Sequence, residues 1–378
     1  MKKHFLTSVA ALSMMAVAGQ AHAAEKLKIN LSGFFDGAAA YVNQNLDTGK
    51  RDVTFGSDSE IWFTGAMTLD NGLVVGFHAE GKLEEDVGGP SRGAPAQKGS
   101  DFIQESWIFF EGAFGRTEFG KQDGIGHQMT TTGPVIFNGN RVSDGQLQAT
   151  GLNTINTDNT VNNGLDDFAR KIIYFTPSYK GFQFGVSYTP DTSGFQGSSF
   201  DPRTQSTIGA SSQEDIVEIG AAYHNVFEGT GIGDVTVGLS GTYIMANETS
   251  TTLLFPEDLE SWNVGGQVGV SGFTLGGSYK DSNAGSKDRN YNAWEVSGTY
   301  ELGPWGFMLG YGEDKTDFNV IGNDNQTQAI EGGVDFMLGA GVSLGGGVQY
   351  VKADRNGSLK AVPDDHATVV FIETMVSF

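Results

Sequence analysis

Short and long connections alternate along this chain, and the segments between them read as strands. Tight turns fall at Asp70-Asn71-Gly72, Phe114-Gly115-Arg116, Ser178-Tyr179-Lys180-Gly181, Ser271-Gly272, Gly303-Pro304 and Gly339-Ala340-Gly341, with Glu228 to Gly233 as a slightly longer member. Longer polar stretches lie between them, near 43–56, 86–100, 123–168, 191–213, 248–259, 284–289, 318–325 and 355–365. Seven short connections and eight long ones make fifteen, hence about sixteen strands. Short turns at one end and long loops at the other are the pattern of an all-β, transmembrane antiparallel barrel. An even strand count puts both termini at the short-turn, periplasmic end.

The strands themselves alternate with period two, and clear helical periodicity appears nowhere after the leader. Ile29, Leu31, Gly33 and Phe35 alternate with Lys28, Asn30, Ser32 and Phe34. Phe182, Phe184, Val186 and Tyr188 alternate with Gln183, Gly185, Ser187 and Thr189. Phe273, Leu275, Gly277 and Tyr279 alternate with Thr274, Gly276, Ser278 and Lys280. One face suits lipid and the other suits water. Tyr174, Phe182, Phe227, Tyr300, Trp305, Phe307 and Phe336 sit near the short turns, where an interfacial aromatic girdle belongs.

The two ends of the chain agree. The last strand alternates Val370, Ile372, Thr374, Val376 and Phe378 against a face with Glu373 and Ser377. A bare apolar edge invites aggregation, whereas a closed barrel pairs its last strand with its first. Phe378 is therefore read as a barrel-closure and assembly signal. Residues 1–23 read as a secretory signal peptide: Lys2 and Lys3, an apolar run from Phe5 to Val17, then Ala21-His22-Ala23 as cleavage site. The barrel then occupies residues 24–378.

Composition fits this reading. Hydrophobic residues are only 38% of the chain, which holds 55 glycines, 9 prolines and no cysteine, and mean hydropathy is −0.23. No stretch of about eighteen apolar residues follows the leader, so no membrane helix is expected; a barrel needs only half its strand positions apolar. The formal charge of −22 becomes −24 without Lys2 and Lys3. Such acidity repels nucleic-acid phosphates and suits a pore that favours cations.

The connection 123–168 is the longest, and a loop of that length is usually functional. It carries Asp123, Asp144, Asp158, Asp166 and Asp167 against Arg141, and it is expected to fold inward as a constriction. No cofactor motif is present; calcium is the ion that clustered carboxylates at Asp158, Asp166 and Asp167 would suit. Gly341-Val-Ser-Leu-Gly345 matches a nucleophile elbow, but Ser343 begins an alternating strand rather than a strand–helix turn. His78, His127, His224 and His366 are scattered, with no zinc-binding spacing. The chain reads as a non-enzyme.

Three segments resemble the Gram-negative general diffusion porins. Ile108-Phe-Phe-Glu-Gly-Ala-Phe-Gly115, continuing through Thr117-Glu-Phe-Gly-Lys-Gln122, is similar to their strand-turn-strand before the constriction loop. Tyr174-Phe-Thr-Pro-Ser-Tyr-Lys-Gly-Phe182 resembles the hairpin after it, and Phe378 is the third. The resemblance implies a sixteen-stranded homotrimer in the outer membrane, among its lipids, passing ions and small hydrophilic solutes. It also implies an eyelet where acidic loop residues face a basic wall. Asp144, Asp158, Asp166 and Asp167 are the acidic candidates; Lys82, Lys121, Arg170 and Lys171 are the basic ones. Alternation sets Lys82 and Lys171 on the lumen face and leaves Lys121 and Arg170 undecided. The chain departs from the family pattern at Ile173 and Gln104, where relatives often carry basic residues, so the basic wall is thin and cation preference is favoured.

Other readings are a substrate-selective porin for a sugar or organic cation, an outer-membrane barrel enzyme, and a secreted β-rich lectin or adhesin. The first needs an aromatic track or saturable site, the second a convergent Ser/His or acidic site, and the third predicts extraction without detergent.

Overall fold

The computed structural model describes residues 27–46, 51–83, 103–137, 169–191, 213–249, 255–318, 323–356 and 364–378. Sixteen strands close into one antiparallel barrel in which each pairs with its sequence neighbours and β1 pairs with β16. The first five are β1 (Lys28–Gln44), β2 (Val53–Thr68), β3 (Val74–Lys82), β4 (Ile103–Gly112) and β5 (Gly115–Lys121). After the short helix α1 (Ile125–Gln128) come β6 (Arg170–Phe175), β7 (Phe182–Asp191), β8 (Gln213–Thr230), β9 (Gly233–Glu248) and β10 (Leu259–Val270). The barrel ends with β11 (Phe273–Ser282), β12 (Arg289–Leu302), β13 (Trp305–Phe318), β14 (Asn323–Gly339), β15 (Val342–Asn356) and β16 (Asp365–Ser377).

The connections fall where turn chemistry put them. Ser271 and Gly272 join β10 to β11 with φ of 49° and 87°. Both are left-handed, as the two-residue turn that matches strand twist requires. Closure runs from Phe34↔Ser377 to Gln44↔Ala367. Gly33 and Phe378 then exchange both backbone hydrogen bonds at 3.1 Å, and the Phe378 ring stacks on Phe35 at 6.0 Å. The proposed leader, residues 1–23, lies outside the described residues.

Strand alternation separates two surfaces. On β16, Ile372 is 61% exposed while its neighbour Phe371 is 2% exposed. The outward set includes Ile29, Leu31, Phe184, Leu239, Leu275, Leu309 and Val348, all exposed large apolar residues. Such a surface is stable only against lipid. Aromatic pairs flank it. Near the short turns stand Phe273–Tyr300 (4.0 Å), Phe182–Tyr223 (4.6 Å) and Trp305–Phe336 (4.5 Å). Toward the long loops stand Trp262–Tyr279 (5.3 Å) and Trp294–Tyr311 (5.1 Å). Trp294 and Tyr300 share a face of β12 six residues apart, about 20 Å along the strand, which at a tilt of about 40° spans about 15 Å of the membrane-facing apolar band.

Candidate functional site: an inward loop and an acidic, aromatic wall

The buried groups of this barrel belong to its lumen, and a loop occupies part of it. Leaving β5, residues 122–137 turn inward and track along the inner wall past β7, β8, β9, β10 and β12 as far as β16. Two apolar anchors hold the ends of this path. At the first, Ile125 and Met129 pack with Ile173 and Phe175, over Gly185 and Gly220. At the second, Ile136 and Phe137 pack on Ala40, Val42, Val351, Val369 and Phe371, with Phe137 edge-on to Phe371 at 5.0 Å.

Between the anchors the loop backbone is held by wall side chains. Gly126 N–H donates to Glu218 Oε2 at 2.6 Å, and Thr131 N–H to Ser240 Oγ at 2.8 Å. Gly133 N–H donates to Glu295 Oε1 at 2.7 Å. Gln267 Nε2 donates to the Thr132 carbonyl at 2.6 Å, and Ser297 Oγ to the Pro134 carbonyl at 2.7 Å. Hydrogen bonds to carboxylates in a sheltered site are among the stronger ones, about 1.5–3 kcal/mol each. Inward glycines make room for the loop. A Cβ on Gly265 would overlap the Thr131 carbonyl oxygen, and one on Gly333 or Gly345 would strike the Phe137 ring.

The four basic candidates fall into two pairs. Lys82 is paired across the sheet with Glu60 and reaches Asp58 at 3.3 Å. Lys171 is buried and donates through Nζ to the Gln122 carbonyl at the root of the loop. Both face the lumen. Lys121 and Arg170 pair with each other, on the register of Ser106 and of the exposed Phe119 and Ile172. That is the outward face, so these two do not join the pore wall as expected; Lys121 Nζ donates instead to the Ile103 carbonyl at 3.1 Å. Asp144, Asp158, Asp166 and Asp167, with the calcium expectation attached to three of them, lie outside the described residues.

The departures noted in the sequence have structural roles. Ile173 is fully buried beneath Ile125, so an apolar residue there anchors the loop. Gln104 is the extra residue of a β-bulge on β4, between the Glu80↔Glu105 and Gly81↔Ile103 pairs. Ser343 lies within β15, opposite Met337 and Met375.

Opposite the loop, the inner face of β2–β5 is acidic and aromatic rather than basic. Asp58, Glu60 and Trp62 on β2 share the lumen register with His78, Glu80 and Lys82 on β3, and with Glu105, Trp107 and Phe109 on β4. Each tryptophan donates its indole N–H to the glutamate two residues before it. Trp62 bonds Glu60 at 3.1 Å and Trp107 bonds Glu105 at 3.3 Å. The rings form a row: Phe34–Trp62 at 5.9 Å, His78–Trp107 at 5.1 Å and Trp107–Phe109 at 6.0 Å. Arg116 closes it, lying 3.7 Å from the centroid of Phe109 while bonding Glu111 at 2.9 Å and Glu118 at 2.5 Å. The sequence reading missed this wall. Its signal was the repeat Glu60-Ile-Trp62 and Glu105-Ser-Trp107, two residues apart and hence on one face of a strand.

A sixteen-stranded antiparallel barrel, apolar outside, polar inside and entered by its longest loop, defines a membrane porin. Residues 8–356 match the family model of the Gram-negative porins, and the chain belongs to that family. Among curated relatives, it is 28% identical over 193 residues to outer membrane porin protein 32 of Delftia acidovorans, covering 49% of each chain. It is also 28% identical over 190 residues to an uncharacterized protein of Rickettsia typhi, covering 44% of this chain and 41% of that one. The chain thus spans less than half the length of the curated relatives it matches. Two solved structures are similar in fold. One is a loop L8 deletion mutant of OmpT, an outer membrane protein of Vibrio cholerae (TM-score 0.60, 16% identity, 94% of this chain and 100% of that one). The other is an anion-selective porin from Comamonas acidovorans (TM-score 0.59, 18% identity, 93% of this chain and 100% of that one). Family and fold place the barrel in the outer membrane, crossed many times by strands.

Proposed function

We propose that the chain forms a water-filled channel for passive diffusion of ions and small hydrophilic solutes, narrowed by its inward loop and preferring cations. The observation that carries this reading is the charge of the lumen. Glu60, Glu80, Glu105, Glu218, Glu295 and Glu331 face inward. Among the described residues the lumen register also carries the cations Lys82, Arg116, Lys171, Lys280 and Arg355, and the first three are each engaged by a wall carboxylate or a loop carbonyl. Ionised carboxylates along a passage of reduced dielectric lower the free energy of a cation and raise that of an anion. The Comamonas neighbour is anion-selective by name, but at 18% identity its likeness concerns the fold alone. Liposome swelling in sugars and amino acids of graded size tests the channel. Swelling that falls with solute size supports it; swelling no faster than that of empty liposomes refutes it.

A substrate-selective channel is the second reading. The lumen-facing row Phe34, Trp62, Trp107 and Phe109 beside pinned carboxylates favours it, because rings turned toward water can stack on a solute. A saturable current block by one solute class would distinguish it.

The channel is proposed to work as a homotrimer. One OmpT structure from Vibrio cholerae is described as a trimer form. The barrel also offers a shallow outward groove lined by Gly37, Ala39, Gly56, Leu344, Ile372 and Thr374, where small residues let a neighbour approach.

A further inference from the structure

We propose that His78, Glu80 and Glu105 form a binding site for a divalent transition-metal ion, of the zinc class, on the lumen wall. Their ligand atoms all lie within 4.8 Å of one another. His78 Nε2 stands 3.6 Å from Glu80 Oε2. The three residues come from two adjacent strands, with His78 and Glu80 two apart on β3 and Glu105 on β4 directly opposite Glu80.

That pairing is unfavourable by itself. Two carboxylates directly opposite across a strand pair repel each other. Among the described residues neither Glu80 nor Glu105 has a lysine or arginine partner, since Lys82 pairs with Asp58 and Arg116 with Glu111 and Glu118. A third carboxylate, Asp123 from the root of the inward loop, adds to the repulsion on Glu105, and the imidazole of His127, 3.2 Å from Asp123, offsets part of it. A bound dication removes this repulsion.

The local backbone is an independent observation. The β3–β4 ladder is regular except at the bulge of Gln104, immediately before Glu105. Bulges re-aim side chains and gather beside functional sites. This one sits where Glu105 meets Glu80.

The surroundings orient the ligands. The His78 ring stacks on Trp107 at 5.1 Å and 23°, and Trp107 Nε1 fixes Glu105 Oε2 at 3.3 Å. Such outer contacts hold a ligand's rotamer and tune affinity. Tetrahedral zinc places its ligand atoms about 3.3 Å apart, so His78 and Glu80 are nearly in place and the widest pair needs to close by up to about 1.5 Å. Each remains partly open to the lumen, leaving the fourth position to water, as three-ligand sites do. The imidazole favours zinc, copper or nickel over calcium and magnesium, which prefer all-oxygen shells.

The test is calorimetric titration of detergent-solubilised, folded full-length protein with ZnCl2, repeated with CaCl2 and MgCl2, beside measurement of bilayer current during zinc addition. The expected result is one zinc per chain, with neither calcium nor magnesium competing at equal concentration. His78→Gln and Glu105→Gln should each weaken zinc at least about tenfold. Zinc should reduce the current of the parent protein, and the half-reducing concentration should rise in both variants. His224→Gln, far from the site on β8, should leave zinc affinity unchanged. All variants must migrate as folded barrels in unheated gels, and Glu80→Gln provides a further variant where one does not. Zinc affinity equal in parent and variants, or no zinc binding by the folded parent, overturns the site. A protein that binds zinc but conducts no ions keeps the site and refutes the channel instead.

Discussion

Replacing Phe137 by alanine should release the far end of the inward loop without disturbing the barrel. Phe137 is 3% exposed. It contacts Phe371 edge-on at 5.0 Å and fills the space over Gly333 and Gly345. Truncating a buried phenylalanine costs about 3–5 kcal/mol. That cost falls on the docked loop rather than on the sixteen-strand ladder, because every strand pair keeps its backbone bonds. At about 1.4 kcal/mol per factor of ten, the undocked population should rise by about a hundredfold or more. The remaining bonds to Glu218, Ser240 and Glu295 keep the near end in place. Single-channel recording should therefore show higher and noisier conductance from Phe137→Ala, with an unchanged temperature for loss of the folded band in gels. Conductance and noise equal to the parent would refute the claim that this segment narrows the lumen.

Further outcomes follow from other contacts. Gly265→Val should displace the loop at its middle, since the new side chain takes the space of the Thr131 carbonyl; conductance should rise while the barrel still folds. Glu295→Gln should act in the same direction but more weakly, replacing a charge-assisted bond to Gly133 N–H at 2.7 Å by a neutral one. Arg116→Ala leaves Glu118, 1% exposed, without its counter-charge; thermal denaturation should register a loss of about 3–5 kcal/mol, unlike the loop variants. Phe378→Ala removes the stack on Phe35 at 6.0 Å; the folded fraction should fall, while those barrels that do fold conduct normally.

Much of this architecture was legible in the chain. Turn residues such as Asp70-Asn71-Gly72 and Ser271-Gly272 marked the hairpins, and period two assigned faces such as Ile372 outward and Glu373 inward. Those signals are local, so one strand carries them unaided. The position of Lys121 needed its neighbours: it lies at the last position of β5, where the chain leaves for the loop, and pairing with Ser106 and Arg170 decides the face. The path of the loop was equally hidden. Glycine was abundant in the sequence, yet only the closed barrel brings Gly185, Gly220, Gly265, Gly333 and Gly345, from five different strands, beneath one loop segment. The acidic wall joins residues of β2, β3 and β4 whose common face appears only once register is fixed.

The measurement that bears most directly on the channel's mechanism is the reversal potential of the purified, folded protein in a planar bilayer under a KCl gradient. The inward carboxylates predict stable open steps and a potential of the sign set by potassium, shrinking as salt rises and screens the wall. A potential of the sign set by chloride at low salt would contradict the assignment of selectivity to this wall, and an absence of conductance from folded barrels would contradict the channel itself.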